Sequence, residues 1–456
     1  TLTVSTSLAG TGTLTNGNSA TLNVAGTTPL SGGTLVASGT SNTVNYNSAT
    51  QTCKTISYVN LTVSGSGTFT CATTAITGIL TTSGTVVWTT GANLAIGGAV
   101  NIGNGTTLTQ GAFTLSVGGV MTVGGGSTGT FVGSGSALTL NGNLALASGA
   151  TWTKGAGVVT FSKGAAQTWT DSTASKQDIG TIQISVNGIN NTSLSLGASA
   201  KATKMTIDSS QTFAPGSNTF TLTGTGTGGS KPFLNSGGTF TNTGSTIAFA
   251  GDGDVAIETT SGTTYNNLSL IPSYASGTKT YTPNGALTVS GDFTINPTGA
   301  ISGDLAVVLG GTTNITGTLT ITKTTNATSS LTTTGSNHAL TAGSINIASG
   351  GTLTANDSTV TLTGSGTPFV VTGTFTPGGS TVAYTSTSAP NIAATTYNHL
   401  TLSPAGTPTY TLGTDAAQTI NTNNFTIGNG SNAVAVNHAT YDPAINIAGN
   451  FTVSAS

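Results

Sequence analysis

TTYNNLSL at 263–270 returns as TTYNHLTL at 395–402 and, more loosely, as ISYVNLTV at 56–63. The surroundings return too. GSTIAF at 244–249 precedes the first copy, GSTVAY at 379–384 the second and SNTVNY at 41–46 the third. Downstream of Tyr265 comes Phe293 in DFTI, and Phe425 in NFTI follows Tyr397 at the same distance. Self-similarity at this scale marks a repeat architecture and is read before any local feature. It divides the chain into long units at approximately 41–156, 157–243, 244–378 and 379–456, the last truncated. His399 stands where the first copy has Asn267, so the motif reads as a stacking rule and not as a recognition site.

Length alone would suggest about three domains, but repeat units contact mainly their neighbours, so 1–456 reads as one elongated body. Only 4% of the 456 residues are charged, with nine Lys, no Arg and Glu258 as the single Glu. Nucleic-acid recognition depends on Lys and on Arg forks to neutralise phosphate and read bases, so this composition argues against it. Gly (66 residues), Thr, Ser and Asn disfavour helix interiors. Period-2 runs recur instead: LTVSG at 287–291, FTINP at 293–297, LTITK at 319–323, VTLTG at 360–364 and FTVSA at 451–455. Each has two or so apolar side chains on one face and ends at a turn residue, as a short strand does. No stretch approaches the length of apolar sequence that spans a membrane. The chain begins in a strand pattern, TLTV at 1–4, with no signal peptide, as expected of a mature or trimmed product.

The clearest short period lies at 91–157, where Gly97, Gly118 and Gly142 recur at nearly equal steps between alternating apolar runs. Two or three short strands per period fit one coil of a parallel β-helix; about 20 coils at a ladder spacing of about 4.8 Å would extend roughly 100 Å. The fold expected is therefore all-β, a β-solenoid, with tandem β-sandwich domains as the alternative. Cys53 and Cys71 are the only cysteines. Their separation is close to one coil, so a disulfide across adjacent rungs is expected, with two buried thiols as the alternative. Residues 157–245 match the repeat least and hold Trp169, Lys176, Asp178, Lys201, Lys204 and Asp208. They read as a solvated insertion around a degenerate repeat, with GTIQISV at 180–186 standing for the Tyr-Asn-Leu strand without its ring.

Candidate chemistry is sparse. Asp252, Asp254 and Glu258 in GDGDVAIE form the one acidic cluster, and carboxylates on a Gly-bent loop could hold Ca²⁺. The spacing is not that of an EF-hand and does not recur from coil to coil. A glycosidase would need two carboxyls across a cleft, whereas one short loop turns them to solvent. No Ser is marked out beside a base and an acid, as a nucleophile would be, and His338, His399 and His438 read as structural. A spontaneous Lys–Asn crosslink needs a buried acid near both partners, and no Lys shares a strand context with Glu258. The eleven Asn-x-Ser/Thr sequons, Asn60, Asn267, Asn314 and Asn450 among them, are what this Asn, Ser and Thr content produces unaided. Trp88, Trp152 and Trp169, with Tyr58, Tyr265 and Tyr397, read as rings packed inside or against the next coil more readily than as a sugar-stacking face.

TTYNNLSL, GTKTYT at 277–282 and ALTVSGDFTI at 286–295 resemble the β-strand repeats of large secreted and surface-displayed bacterial proteins, similar in style to filamentous adhesins and autotransporter passenger domains. The resemblance covers about two thirds of the chain. It implies a right-handed parallel β-helix at the cell surface or outside the cell, serving as fibre, coat or adhesin. No enzyme activity and no cofactor are expected; the partners expected are identical subunits, joined end to end or by strand donation, and surface glycans. A glycan- or host-binding adhesin is the alternative, and a polysaccharide-degrading β-helix enzyme a weaker one, since the absence of Arg counts against it.

Overall fold

A computed structural model describes residues 1–454 apart from 127, 189, 275, 299–302, 324–327 and 433. Of the 451–455 run, the last residue lies outside the described ones. Among these residues helix is reduced to one 3₁₀ turn, Gly228–Ser230, and the rest of the regular structure is strand, from two residues (Ala75–Ile76) to nine (Thr313–Ile321). The strands stack in parallel, each on the strand one coil away. Tandem sandwiches would show antiparallel ladders, so the fold is the β-solenoid. The chain forms two compact units, Thr1–Thr221 with Asn235–Thr241, and Leu222–Leu234 with Asn242–Ser456.

Short coils need strands that bury one side and solvate the other, and the sequence supplies them in alternation. In the first unit Leu22, Val44, Leu61, Leu80, Val100 and Met121 are successive partners in one inward file. All are fully or nearly fully buried, each contributing about 1.5–3 kcal/mol of transfer free energy. Coil length varies: the step from Val44 to its partner Leu61 is much shorter than the step from Leu144 to its partner Trp169. The extra residues leave at the corners, while the strands keep register because a one-residue slip would turn every apolar side chain outward.

In the second unit the largest sheet branches. Phe293–Ile295 pairs with the second half of Thr313–Ile321, and Leu287–Val289 with its first half. Another sheet runs through Val255–Ile257, Lys279–Pro283, Leu305–Val308, Ser329–Thr332, Gly351–Thr354 and Thr374–Thr376.

Residues 157–245 are not an insertion. Val158–Phe161, Thr181–Ile184 and Lys204–Ile207 stack in register, and Trp169 is fully buried as the partner of Leu144. The charges that suggested a loop belong to outward positions and corners of regular coils.

The corners explain the glycines. Gly78, Gly98, Gly119 and Gly142 stack at one tight turn between sheets. A Cβ on Gly98 would lie 2.5 Å from the Gly78 carbonyl oxygen, and one on Gly119 2.6 Å from the Gly98 carbonyl carbon. Backbone meets backbone there, with no flexible side chain to yield. Gly119→Ala is expected to destabilise the first unit by about 1–3 kcal/mol, as overpacking does. Urea unfolding would measure this as a lowered midpoint at unchanged slope.

Candidate functional site

The repeated Tyr-Asn-Leu stretch forms the second half of a two-coil device. Thr43–Tyr46 lies directly against Asn60–Val63, Thr246–Phe249 against Asn267–Leu270, and Thr381–Tyr384 against His399–Leu402. The upstream GSTIAF-type string and the Tyr-Asn-Leu string are thus adjacent rungs. In two copies a pair of tyrosines closes the coil. Tyr46 and Tyr58 meet hydroxyl to hydroxyl at 2.9 Å, and Tyr384 and Tyr397 at 3.0 Å. In each, the second Tyr donates to a backbone carbonyl on the corner that precedes it, that of Lys54 or Ala393. The first accepts from the amide of the same residue. The corner's backbone groups are therefore satisfied by buried phenols. Burial pushes all four hydroxyls up in pKa, so the pairs stay neutral.

The copy at 244–270 has Phe249 in place of the first tyrosine, and Tyr265 instead donates to the Glu258 carbonyl at 2.7 Å. A fourth copy, with Phe161 on its first rung and no ring ahead of its second, lies in the stretch read as degenerate. Ile179, buried just ahead of Thr181–Ile184, takes the place that Tyr58 holds just ahead of Asn60–Val63. The readable signal was the position, not the residue type.

Asn267 serves the ladder: its side-chain oxygen accepts from the Asp292 amide at 2.9 Å. Asn60 does the same for Ile79, Asp292 for Thr318 and Asn424 for Asn450. His399 keeps an acceptor at this place, with Nδ1 2.8 Å from the Asn424 side-chain nitrogen, which explains the Asn-to-His exchange between copies. His338 and His438 lie elsewhere; His438 Nδ1 is 3.3 Å from the exposed Asp442 carboxylate.

The three acids singled out from sequence do not converge. Asp252 and Asp254 are exposed, and Asp254 accepts from the Thr280 amide of the next coil at 2.9 Å. Glu258 is fully buried and pairs with Lys231 at 2.9 Å, itself 7% exposed. The same carboxylate accepts from the Thr260 amide at 2.7 Å and from the Thr260 hydroxyl. Among the described residues no group of three or more His, Cys, Asp or Glu is placed to hold a metal ion. Asp171 is the counterpart of Glu258 in the fourth copy. It is fully buried and takes the Thr173 amide at 2.9 Å and its hydroxyl at 2.6 Å, ahead of Ile179 by nearly the same interval as Glu258 ahead of Tyr265. The buried acid is thus a turn cap that the repeat uses twice. Burial raises the pKa of Glu258, but the Thr260 hydroxyl, Lys231 and the Thr260 amide together hold it below the ordinary carboxylate value.

Cys53 and Cys71 form a disulfide with Cα atoms 5.0 Å apart. It ties the ends of Ala49–Thr52 and Ser66–Cys71, which are paired rungs. Lys154 and Asp178 form a surface ion pair at 2.5 Å, its lysine 45% exposed, and such pairs contribute little.

Glu258→Gln would leave Lys231 buried without its counter-charge and cost about 3–5 kcal/mol, measured by chemical unfolding. Because folded Glu258 binds its proton more weakly than the unfolded chain does, its contribution is complete above the ordinary carboxylate pKa of about 4.3. It is lost as pH falls through the lower folded value. The melting temperature of the native chain is expected to fall across that acid range more steeply than that of Glu258→Gln. Cys53→Ser with Cys71→Ser, which opens the loop between these two rungs, is expected to cost about 3 kcal/mol in the same assay.

No protein-family profile, curated protein or solved structure matches the chain; by its own geometry it is a repeat protein with a β-solenoid fold.

Proposed function

We propose that the chain is a non-enzymatic structural protein of an extracellular surface, a stiff scaffold that associates with copies of itself into a filament, fibre or coat. The observation that carries this reading is the combination of a parallel ladder in each unit with outward faces of Thr, Ser and Asn that hold few charges. Such a surface responds little to pH or salt, and the ladder shields the backbone. The disulfide between Cys53 and Cys71 supports an oxidising compartment.

A glycan-binding adhesin is the second reading. It has less support, because sugar stacking needs exposed rings, and Trp88, Trp152, Trp169, Tyr58, Tyr265 and Tyr397 are all buried.

Electron microscopy of the purified chain over a range of concentrations tests the proposal. Regular filaments or sheets are expected. Dispersed single molecules at high concentration would overturn self-assembly, and one strong hit on a glycan array would favour the second reading.

A further inference from the structure

One sheet of the first unit differs from its neighbour on its outer side, and a sheet of the second unit repeats part of its pattern. In the first unit it consists of Ala49–Thr52, Ser66–Cys71, Thr85–Thr90, Thr106–Thr109, Thr128–Val132 and Gly149–Thr153. The register aligns two of its outward positions into parallel files that run along the sheet. One runs Thr68, Val87, Thr107, Thr130, Thr151. The other runs from Thr52 to Thr153 and is threonine at every step but Val132. Every position in both files is β-branched and none is charged. In the second unit Ser330 and Thr332, Thr352 and Thr354, and Thr374 and Thr376 repeat the arrangement on three consecutive coils.

Composition alone does not produce this. The neighbouring sheet of the first unit exposes a single mixed file, Thr81, Asn101, Thr122 and Ala145. The double file stands on a packed aromatic core. Directly beneath it the alternate residues Phe69, Trp88, Leu108, Phe131 and Trp152 stack as one buried file. Phe69 and Trp88 have ring centroids 5.3 Å apart, and Phe131 and Trp152 4.4 Å. The disulfide secures the first rungs of the same sheet.

The result is a rigid grid of hydroxyl and methyl groups, spaced about 4.8 Å between coils and about 6.6–6.8 Å along a strand. β-Branching holds each side chain in few rotamers, and each hydroxyl both donates and accepts. A matching ligand must be neutral, periodic in two dimensions and able to exchange hydrogen bonds at every repeat. A charged polymer finds no counter-charge in the files, and a crystalline polysaccharide finds no exposed ring to stack on. The oxygen lattice on a prism face of ice is neutral, both donates and accepts, and has a rectangular repeat of comparable dimensions. We propose that these threonine files bind ice, ordering water between hydroxyls and methyls into the crystal's own lattice.

The test uses the full chain, fluorescently labelled, with adsorption to a growing ice surface and thermal hysteresis as readouts. The unsubstituted chain is expected to coat the ice and to shape small crystals. Thr89→Tyr combined with Thr352→Tyr, one change in each grid, is expected to abolish both effects while circular dichroism stays unchanged, since tyrosine suits exposed strand positions. Thr122→Tyr, on the mixed file, is expected to behave like the unsubstituted chain. If the tyrosine pair misfolds, Thr89→Lys with Thr352→Lys places a charge in each grid and is expected to give the same loss. Exclusion of the unsubstituted chain from ice, undiminished binding by a folded grid variant, or adsorption to cellulose or chitin but not to ice would each overturn the proposal.

Discussion

The parallel backbone ladder between successive coils is the constraint on which the rest of this molecule depends. Strands one coil apart sit about 4.8 Å from each other, so every residue at a tight corner has the previous corner's peptide directly against it. That spacing admits no Cβ where Gly98 stacks on Gly78 and Gly119 on Gly98. It also fixes which polar groups need a partner, because a buried amide left without one costs about 1–3 kcal/mol. Strand length, glycine placement and the outward Asn and Asp residues that reach the next coil's amides all answer to that requirement.

The repeated tyrosines are another answer to it. A coil as short as the one from Val44 to Leu61 turns sharply and leaves corner carbonyls and amides inside. Tyr46 with Tyr58, and Tyr384 with Tyr397, bring hydroxyls to those groups on rings that also fill the core. Where Phe249 removes one hydroxyl, Tyr265 reaches the Glu258 backbone, and Glu258 in turn caps its own turn through Thr260. The buried acid requires a buried cation, and Lys231 supplies it. The Lys231–Glu258 pair thus belongs to the hydrogen-bonding of a corner.

The same regularity sets what the surface can do. A ladder that aligns apolar side chains inside must align every alternate residue outside, so an outward threonine repeated in each coil becomes a file, and two become a grid. The aromatic file beneath, from Phe69 to Trp152, fills the core directly under that grid.

Sequence alone determined the all-β class and the coil period near Gly97, Gly118 and Gly142, and it raised the Cys53–Cys71 disulfide as an expectation beside two buried thiols. These are legible because alternation, turn residues and repeats are local patterns. Only the tertiary structure decided which strings are neighbours: that 246–249 lies on 267–270, that Ile179 stands for a tyrosine, that Asp171 and Glu258 are equivalent, and that Glu258 turns inward to Lys231 while Asp252 and Asp254 stay outside. Coils as unequal as Val44 to Leu61 and Leu144 to Trp169 occur in one sheet, so no fixed offset in the sequence identifies the residue one rung away. Register is chosen by burial of a whole face, a sum over coils that no single stretch contains.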